Sequence, residues 1–339
     1  MKTSRWIRAF LIAPLLVATT SRLCGQGAEI HRDWMDVKGS PTNTSLIGVS
    51  IEDLKTKADA GDRNAQYTLG ARYYNGRETK QDYTEAIKWF QKAAEHKVEW
   101  AQYALGCCYD FGRRVDKDHE QAFKWYFLAA GQGLPAAEFM VADCYKTGDG
   151  VRRDFAEAVT WYRRAADADN PFAQNNLAVL YERGEGVPKD LSQAATWYRK
   201  AAQHGVASAQ LMLGELCRKG TGVRQDGEVA AKWYRAAADQ GNADAQHNLA
   251  TCYLRGFGVG QDYGQAAIWY RKAADQGYAE AQYSLGVCYA KGEGVAQDYQ
   301  EAAGWYRRAS EQGHAVAQCN LAGYYFRKEK GFISWFVMD

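Results

Sequence analysis

Hydrophobic residues recur along most of the chain at the spacing of amphipathic helices. Ala65, Leu69 and Tyr73 stand four residues apart, which places them on one face of a first helix. A second helix follows, with a one-sided apolar stripe made of Ala86, Trp89, Phe90 and Ala93. Because each helix has a single apolar face, the two helices are expected to pack against each other.

The same helix pair returns every 36 residues, with no insertion along the array. A tryptophan of the second helix marks this step, at Trp89, Trp125, Trp161, Trp197, Trp233, Trp269 and Trp305. A fixed period between about 20 and 50 residues indicates one supersecondary unit per copy, stacked into a solenoid. The predicted fold is therefore all-α, an α/α solenoid of antiparallel helix pairs.

Glycine and aspartate mark the predicted helix ends. A glycine follows each first helix, where a left-handed C-terminal cap requires it, at Gly76, Gly112, Gly148, Gly184, Gly220, Gly256 and Gly292. An aspartate opens each second helix, at Asp82, Asp118, Asp154, Asp190, Asp226, Asp262 and Asp298. In six of these seven copies Glu or Gln stands three residues later, which is the pattern of a capping box.

The repeat pattern also predicts how the chain is organised. Seven copies occupy residues 61–313, and a solitary helix at residues 50–60 is expected to cap the first of them. Residues 314–339 form an incomplete eighth copy with a divergent tail that ends in GFISWFVMD. Two interpretations of that tail stay open, an apolar cap that folds back and a truncated reading frame.

The N-terminal segment has the composition of a secretory signal peptide. Residues 1–27 contain a basic start, an apolar run from Ala9 to Val17 and small residues near Gly27. The run is shorter than the roughly 20 residues of a spanning helix, so no stable membrane span is predicted. We expect export to the periplasm or the cell exterior, with membrane association through an uncleaved leader as the alternative. Residues 28–49 are predicted to be a flexible linker.

The charge balance disfavours nucleic acid as a partner. Lys and Arg number 42 against 40 Asp and Glu, a net charge of +2 that provides no general attraction to polyanions. Basic pairs such as Arg271-Lys272 recur on the second helices, yet Asp275 lies four residues after Arg271 on the same helical face. We interpret these pairs as a neutralised, solvated surface.

The chain shows no residue pattern for catalysis, a cofactor or a metal ion. It contains neither Ser-x-x-Lys nor Gly-x-Ser-x-Gly, and its six histidines are scattered. The Gly-x-Gly-Val loops lack the lysine of a phosphate-binding loop and are interpreted as turns. Seven cysteines lie in the array and are predicted to be buried free thiols, because equivalent positions in successive copies are too far apart for a disulfide. No catalytic, cofactor-binding or metal-binding residue is therefore predicted.

The motifs A-Q-x-x-L-G-x-x-Y, G-x-G-V-x-x-D and A-x-x-W-Y-R-K-A-A resemble the Sel1-like repeat, which is related to the tetratricopeptide repeat. The resemblance covers residues 50–326. It implies a right-handed superhelix of antiparallel helix pairs that binds other proteins. Bacterial members of the family are often exported, and some have been linked to β-lactam binding or cleavage.

One position of the first helix varies freely while the framework does not. Its residues are Tyr67, Tyr103, Phe139, Asn175, Leu211, His247, Tyr283 and Cys319. Large aromatic side chains supply contact area at little entropic cost. The candidate partner-binding residues are therefore Tyr67, Tyr103, Phe139, His247 and Tyr283. The alternative, that these side chains pack between neighbouring helices, is equally compatible with the pattern.

These observations predict an exported, non-catalytic and monomeric interaction scaffold. Its superhelical groove would hold a peptide or a protein whose identity the sequence does not reveal. An envelope protein that binds or hydrolyses β-lactam-like or peptidoglycan fragments is the alternative. An adaptor in a membrane-associated complex is a third hypothesis, weakened by the short apolar run.

Overall fold

The computed structural model describes residue 46 and residues 48–329 of the chain. The predicted signal peptide (1–27), nearly all of the predicted linker (28–49) and the tail from residue 330 onward lie outside the described residues. The described part contains sixteen α-helices and no strand. The predicted all-α fold class is confirmed.

The helices keep one length and one spacing over most of the chain. In order they are α1 (Ile51–Asp59), α2 (Arg63–Asn75), α3 (Tyr83–Glu95), α4 (Glu99–Phe111), α5 (His119–Gly131), α6 (Pro135–Thr147), α7 (Phe155–Asp167), α8 (Pro171–Arg183), α9 (Leu191–Gln203), α10 (Ala207–Lys219), α11 (Gly227–Asp239), α12 (Ala243–Arg255), α13 (Tyr263–Asp275), α14 (Ala279–Lys291), α15 (Tyr299–Glu311) and α16 (Ala315–Glu329).

The chain divides into two compact units, Met1–Gln132 and Gly133–Asp339. The described part of the first unit contains α1 to α5, and that of the second contains α6 to α16. Within each unit every helix packs on its neighbours in the sequence, and the tightest packing joins the first and second helix of one copy. This sequential packing of helix pairs is the arrangement of an α/α solenoid.

The predicted caps are present at both helix ends. Asp82 is typical: its Oδ1 accepts hydrogen bonds from the backbone N–H groups of Thr84 and Glu85, at 2.9 and 3.1 Å. All seven of the predicted aspartates cap their helices in this way. Gly76 ends α2 in the left-handed region, with φ of 68°, and its six counterparts do the same. Helix length is therefore set locally, by side chains that satisfy free backbone groups.

The core lies where the two helices of a copy meet. Tyr126 of α5 is fully buried, and its ring lies so close to Gly106 of α4 that an added Cβ would be 2.5 Å away. Gly214 faces Tyr234 in the same way in the second unit. Glycine is needed here because a second-helix tyrosine fills the space beside it. The repeated tryptophans are mostly buried as predicted, Trp89 and Trp305 each with 5% of their surface exposed.

A buried glutamine follows the invariant alanine of the first helices α2, α4, α8, α10, α12 and α14, whereas Glu138 stands there in α6 and the Gln318 of α16 is exposed. Gln210 is typical: its Nε2 donates to the Ala202 carbonyl of the preceding second helix at 3.1 Å. Its Oε1 accepts from Nε2 of Gln240 at 2.8 Å. Glu138 instead forms an ion pair with Arg164, 2.7 Å apart. The glutamine thus adds a side-chain hydrogen bond to a carbonyl at the end of the preceding second helix, and the Ala202 carbonyl also accepts from the backbone N–H of Gly205.

Candidate functional site

The first helices of the second unit share a face that packing leaves at least partly exposed, apart from Ala136, Met140 and Ala290, which are buried. In α8 this face consists of Phe172, Asn175, Asn176, Val179 and Glu182, all partly exposed. Their spacing of three and four residues follows one side of the helix. We call the equivalent residues of α6, α8, α10, α12 and α14 the first-helix face.

Two of the five predicted binding residues lie in the first unit, and both are buried. Tyr67 and Tyr103 are each 3% exposed. The ring of Tyr67 lies 6.0 Å from that of Phe90, and the ring of Tyr103 lies 5.7 Å from that of Tyr126. Packing between the helices of one copy therefore accounts for these two side chains. Contact of either with a partner stays a prediction.

The other three predicted residues belong to the first-helix face and are partly exposed. Phe139 lies 5.8 Å from the ring of Tyr162. His247 lies between Tyr270 and Tyr278, at ring distances of 5.4 and 5.5 Å. Each of these residues thus contacts the tyrosine of its own second helix and is only partly buried.

Tyr283 repeats this arrangement in the next copy along the chain. Its ring lies 5.8 Å from that of Tyr306, and it stacks on His314 with 4.6 Å between the ring centres. His314 in turn lies 3.1 Å from a carboxylate oxygen of Glu280. Phe139, His247 and Tyr283 stand on different helices, so they do not form one cluster.

A row of tyrosine hydroxyls on this face was not anticipated from the sequence. Each tyrosine belongs to a second helix and has a buried ring. Its hydroxyl bonds to a side chain of the first helix at a position that varies between copies. Tyr198 donates to Glu182 at 2.6 Å, and Tyr234 donates to Glu215 at 2.7 Å. One signal in the sequence could have revealed this row of hydroxyls. The tyrosine is constant in the second unit, whereas its first-helix partners change from copy to copy.

Glu215 is the centre of the densest polar group on the face. It accepts hydrogen bonds from Tyr234, Arg218, Lys219 and Asn248, the last reaching across from α12 at 3.2 Å. Partial burial alone would raise the pKa of this carboxyl, but the hydrogen bonds from Arg218, Tyr234 and Lys219 lower it to about 2. The carboxylate is therefore ionised and held in place at neutral pH.

Asparagine amides add further donors and acceptors to the same face. Asn176 donates to the Tyr162 hydroxyl at 3.1 Å, and Asn175 accepts from the hydroxyl of Ser208 at 3.2 Å. An amide carries two donors and an acceptor with two lone pairs, so one internal hydrogen bond leaves capacity for a ligand. The face is thus suited to hydrogen bonding with a peptide backbone.

The basic pairs of the second helices have a role that the sequence pattern did not predict. The Nζ of Lys272 lies 3.7 Å from the centre of the Trp269 ring, and Lys200 covers Trp197 at 4.1 Å. The other member of the pair reaches the next first helix, as Arg271 does by donating to the Tyr289 hydroxyl. Cation–π contact and hydrogen bonds hold these cations against the array.

No group of three or more His, Cys, Asp or Glu side chains in the described part of the chain is arranged to hold a metal ion. The seven cysteines of the array are free, and all but Cys319 are buried. Burial raises the pKa of the Cys107 thiol to about 12, so it is protonated at neutral pH. None of the described helices has both the length and the apolar character of a membrane span.

A repeated helix pair with an exposed variable face and a constant framework defines the class of this protein, a repeat scaffold. Seven segments of the chain match the family model of the Sel1 repeat, residues 63–98, 101–134, 135–170, 171–206, 207–242, 243–278 and 279–314. The chain belongs to the Sel1 repeat family, whose repeats typically mediate protein–protein interaction.

Solved structures resemble the chain over most of its length. The antigen c5321 of uropathogenic Escherichia coli has a TM-score of 0.80 and 38% sequence identity, covering 84% of this chain and 61% of that protein. A Sel1 repeat protein of Oxalobacter formigenes has a TM-score of 0.62 and 31% identity, covering 72% of this chain and 96% of that protein. The chain thus spans less than two thirds of the antigen.

A curated relative matches a shorter stretch. The secretory immunoglobulin A-binding protein EsiB of Escherichia coli is 47% identical over 49 residues, which is 14% of this chain and 10% of EsiB. The chain therefore matches only about a tenth of that protein's length.

Proposed function

We propose that this protein is a non-catalytic scaffold that binds a peptide or protein on the first-helix face of its second unit. The observation that carries this proposal is the contrast between framework and face. Alanine, glycine, tryptophan and tyrosine recur at fixed positions, whereas the face presents Phe172, Ser208, Asp244 and Glu280 at one and the same position. A surface required only for folding would repeat with the framework.

The chemistry of the face favours a protein ligand. Partly exposed amides at Asn175, Asn176 and Asn248 offer donors and acceptors that suit a peptide backbone, and Phe139 and Tyr283 offer apolar contact area. EsiB is named for binding secretory immunoglobulin A, which supports a protein as ligand and makes that immunoglobulin the first probe. Export under the direction of residues 1–27 belongs to the same proposal.

The test substitutes residues of the first-helix face and leaves the framework residues of the repeat unchanged. A triple variant with Asn175→Arg, Val179→Arg and Ser284→Arg places three large cations on the face. The matched control carries Thr160→Arg, Thr196→Arg and Ile268→Arg, which are exposed on second helices. Both variants and the unmodified protein are tested by titration with secretory immunoglobulin A and by quantitative cross-linking in the source cell.

The face variant is expected to lose at least about tenfold in binding, because three bulky charges replace contact area. The control should bind as the unmodified protein does, and both variants should keep their thermal unfolding midpoints. Equal binding by all three proteins would show that the ligand sits elsewhere. Loss of binding in the control alone would place the ligand on the second helices.

A further inference from the structure

An arginine of the second helix reaches a tyrosine of the next first helix in most copies of the second unit. Arg235 of α11 donates to the hydroxyl of Tyr253 in α12, and its guanidinium carbon lies 5.7 Å from the centre of the tyrosine ring. The same carbon lies 5.1 Å from the centre of the Trp269 ring. The equivalent pairs are Arg163 with Tyr181, Arg271 with Tyr289 and Arg307 with Tyr325. Side chains of successive copies thus meet in a contact that this arginine and tyrosine share.

One copy lacks the tyrosine of this contact. Cys217 of α10 stands where Tyr181, Tyr253 and Tyr289 stand in α8, α12 and α14. A cysteine has no phenol ring, so the arginine of the preceding helix, Arg199 of α9, faces a thiol instead of a hydroxyl acceptor. Burial raises the pKa of the Cys217 thiol, and the charge of Arg199 opposes that rise, which places the guanidinium near the sulfur. The guanidinium and the missing ring therefore belong to one place.

The tryptophan of the same copy is also less covered than its counterparts. The Nζ of Lys272 lies 3.7 Å from the centre of the Trp269 ring, three residues before it in sequence, whereas Ala236 stands at the equivalent place beside Trp233. Trp233 is partly exposed. The other four repeat tryptophans of the second unit, Trp161, Trp197, Trp269 and Trp305, are 4 to 8% exposed. We call Arg199, Cys217, Trp233 and Ala236 the α10 gap.

We propose that the α10 gap binds the phenol side chain of a tyrosine that a partner protein supplies. The phenol hydroxyl accepts a hydrogen bond from Arg199, and the ring packs against the indole of Trp233. The other copies of this chain indicate the occupant, because a tyrosine that accepts from an arginine fills the equivalent place in α8, α12 and α14. Tyrosine also suits a surface site, since it combines apolar contact area with a polar end.

The charges and chemistry of the gap favour a phenol over other side chains. A carboxylate would pair with Arg199 but gain little from the indole of Trp233. A cation would gain from the indole but be repelled by the guanidinium of Arg199. A phenol satisfies both neighbours with one ring.

The gap is shallow enough for a side chain to enter from solvent. The tyrosines that fill the equivalent place remain near the surface, Tyr253 and Tyr289 being partly exposed and Tyr181 8% exposed. Arg199 is itself exposed. A ring can therefore reach this place without separation of the helices.

The gap is a different surface from the first-helix face. Arg199 and Trp233 belong to second helices, and Cys217 is buried on a side of α10 away from the residues of that face. The face variant proposed above leaves all four residues of the gap unchanged. Binding at the gap and binding at the face can therefore succeed or fail separately.

The test is a ligand-observed NMR titration of the full chain with two short peptides, acetyl-Gly-Tyr-Gly-amide and acetyl-Gly-Phe-Gly-amide. The tyrosine peptide is expected to bind with a dissociation constant on the order of 1 mM. The phenylalanine peptide should bind about tenfold more weakly, because it offers no hydroxyl to the charged donor of Arg199. Equal binding of the two peptides would overturn the proposal.

Three variants locate the site. Cys217→Tyr fills the gap from within and should weaken binding of the tyrosine peptide at least about tenfold, as should Arg199→Gln, which removes the donor. Lys232→Gln is the matched control, since it removes an exposed cation of α11 outside the gap and should bind as the unmodified protein does. Arg199→Gln changes an exposed residue and decides the question if Cys217→Tyr does not fold.

Two further results would overturn the proposal. Unchanged affinity of the tyrosine peptide in Arg199→Gln and in folded Cys217→Tyr would place its binding elsewhere. Binding of p-cresol at the gap without binding of the tyrosine peptide would assign the gap to a free phenol rather than to a protein.

Discussion

Gln246 and Gln276 join the first and second helix of one copy through one hydrogen bond, with 2.8 Å between the acceptor Oε1 and the donor Nε2. Gln246 also donates its own Nε2 to the Ala238 carbonyl at 3.1 Å, and only 5% of its surface is exposed. Equivalent pairs are Gln102 with Gln132, Gln210 with Gln240 and Gln282 with Gln312. This relay connects the end of a second helix to the start of the next first helix.

Gln246→Leu is expected to lower the free energy of unfolding by about 2 kcal/mol, because it removes two buried hydrogen bonds, one to the Ala238 carbonyl and one from Gln276. Urea unfolding at pH 7 measures the loss. Gln276→Ala removes only the hydrogen bond from Gln276 to Gln246, so the loss of unfolding free energy should be about half as large. Equal losses in the two variants would contradict the role assigned to the carbonyl.

His204→Gln is expected to stabilise the protein. The buried Oε1 of Gln174 has no hydrogen-bond partner among the described residues. His204 occupies the position at which Gln240 and Gln276 donate to their partners. A glutamine there would complete the relay and add about 1 kcal/mol. Unfolding of His204→Gln is compared with that of His204→Ala, which should not exceed the unmodified protein in stability.

Lys97→Gly is also expected to stabilise the protein. Lys97 follows α3 with φ of 58°, at the position where Gly133, Gly205 and Gly241 stand in other copies. A side chain in this left-handed region costs roughly 1 kcal/mol, partly offset by the greater freedom of glycine in the unfolded chain. A gain near 0.5 kcal/mol in urea unfolding is expected. The converse change, Gly205→Ala, meets no atom within 4 Å and should destabilise through backbone strain alone.

Glu215 should make the second unit sensitive to acid. Its pKa in the folded state is lowered from 4.5 to about 2. The stabilisation that its carboxylate provides is complete above the unfolded pKa and is lost as the pH falls from 4.5 toward 2. Glu215→Gln should therefore unfold more readily than the parent at pH 7, by roughly 2 kcal/mol, with a difference that shrinks below pH 4.

Urea midpoints at pH 7, 4 and 3 test this dependence on Glu215. Glu228→Gln serves as the control, since Glu228 is exposed on α11. The control should follow the parent at every pH. A difference between Glu215→Gln and the parent that persists unchanged at pH 3 would show that the carboxylate charge is not the cause.

Only part of the candidate site could be predicted from the sequence. The sequence predicts the variable position of the first helix as the binding position, and Phe139, His247 and Tyr283 are partly exposed there. Their contact with a partner stays a prediction. Tyr67 and Tyr103 occupy the same position and are buried. Periodicity assigns a residue to a helical face, but exposure at that face depends on the size of the neighbouring side chains. Those neighbours belong to other helices.

Local signals account for what the sequence determined by itself: the helix lengths, the caps at Asp82 and Gly76, the 36-residue period and the family. These features depend on residues within a few positions of each other. Tertiary structure alone decided that Lys272 covers Trp269, that Tyr234 reaches Glu215 and that Gln246 bonds Gln276. Packing selects such pairs because each helix offers several side chains to a neighbour, and only close approach in space determines which of them meet.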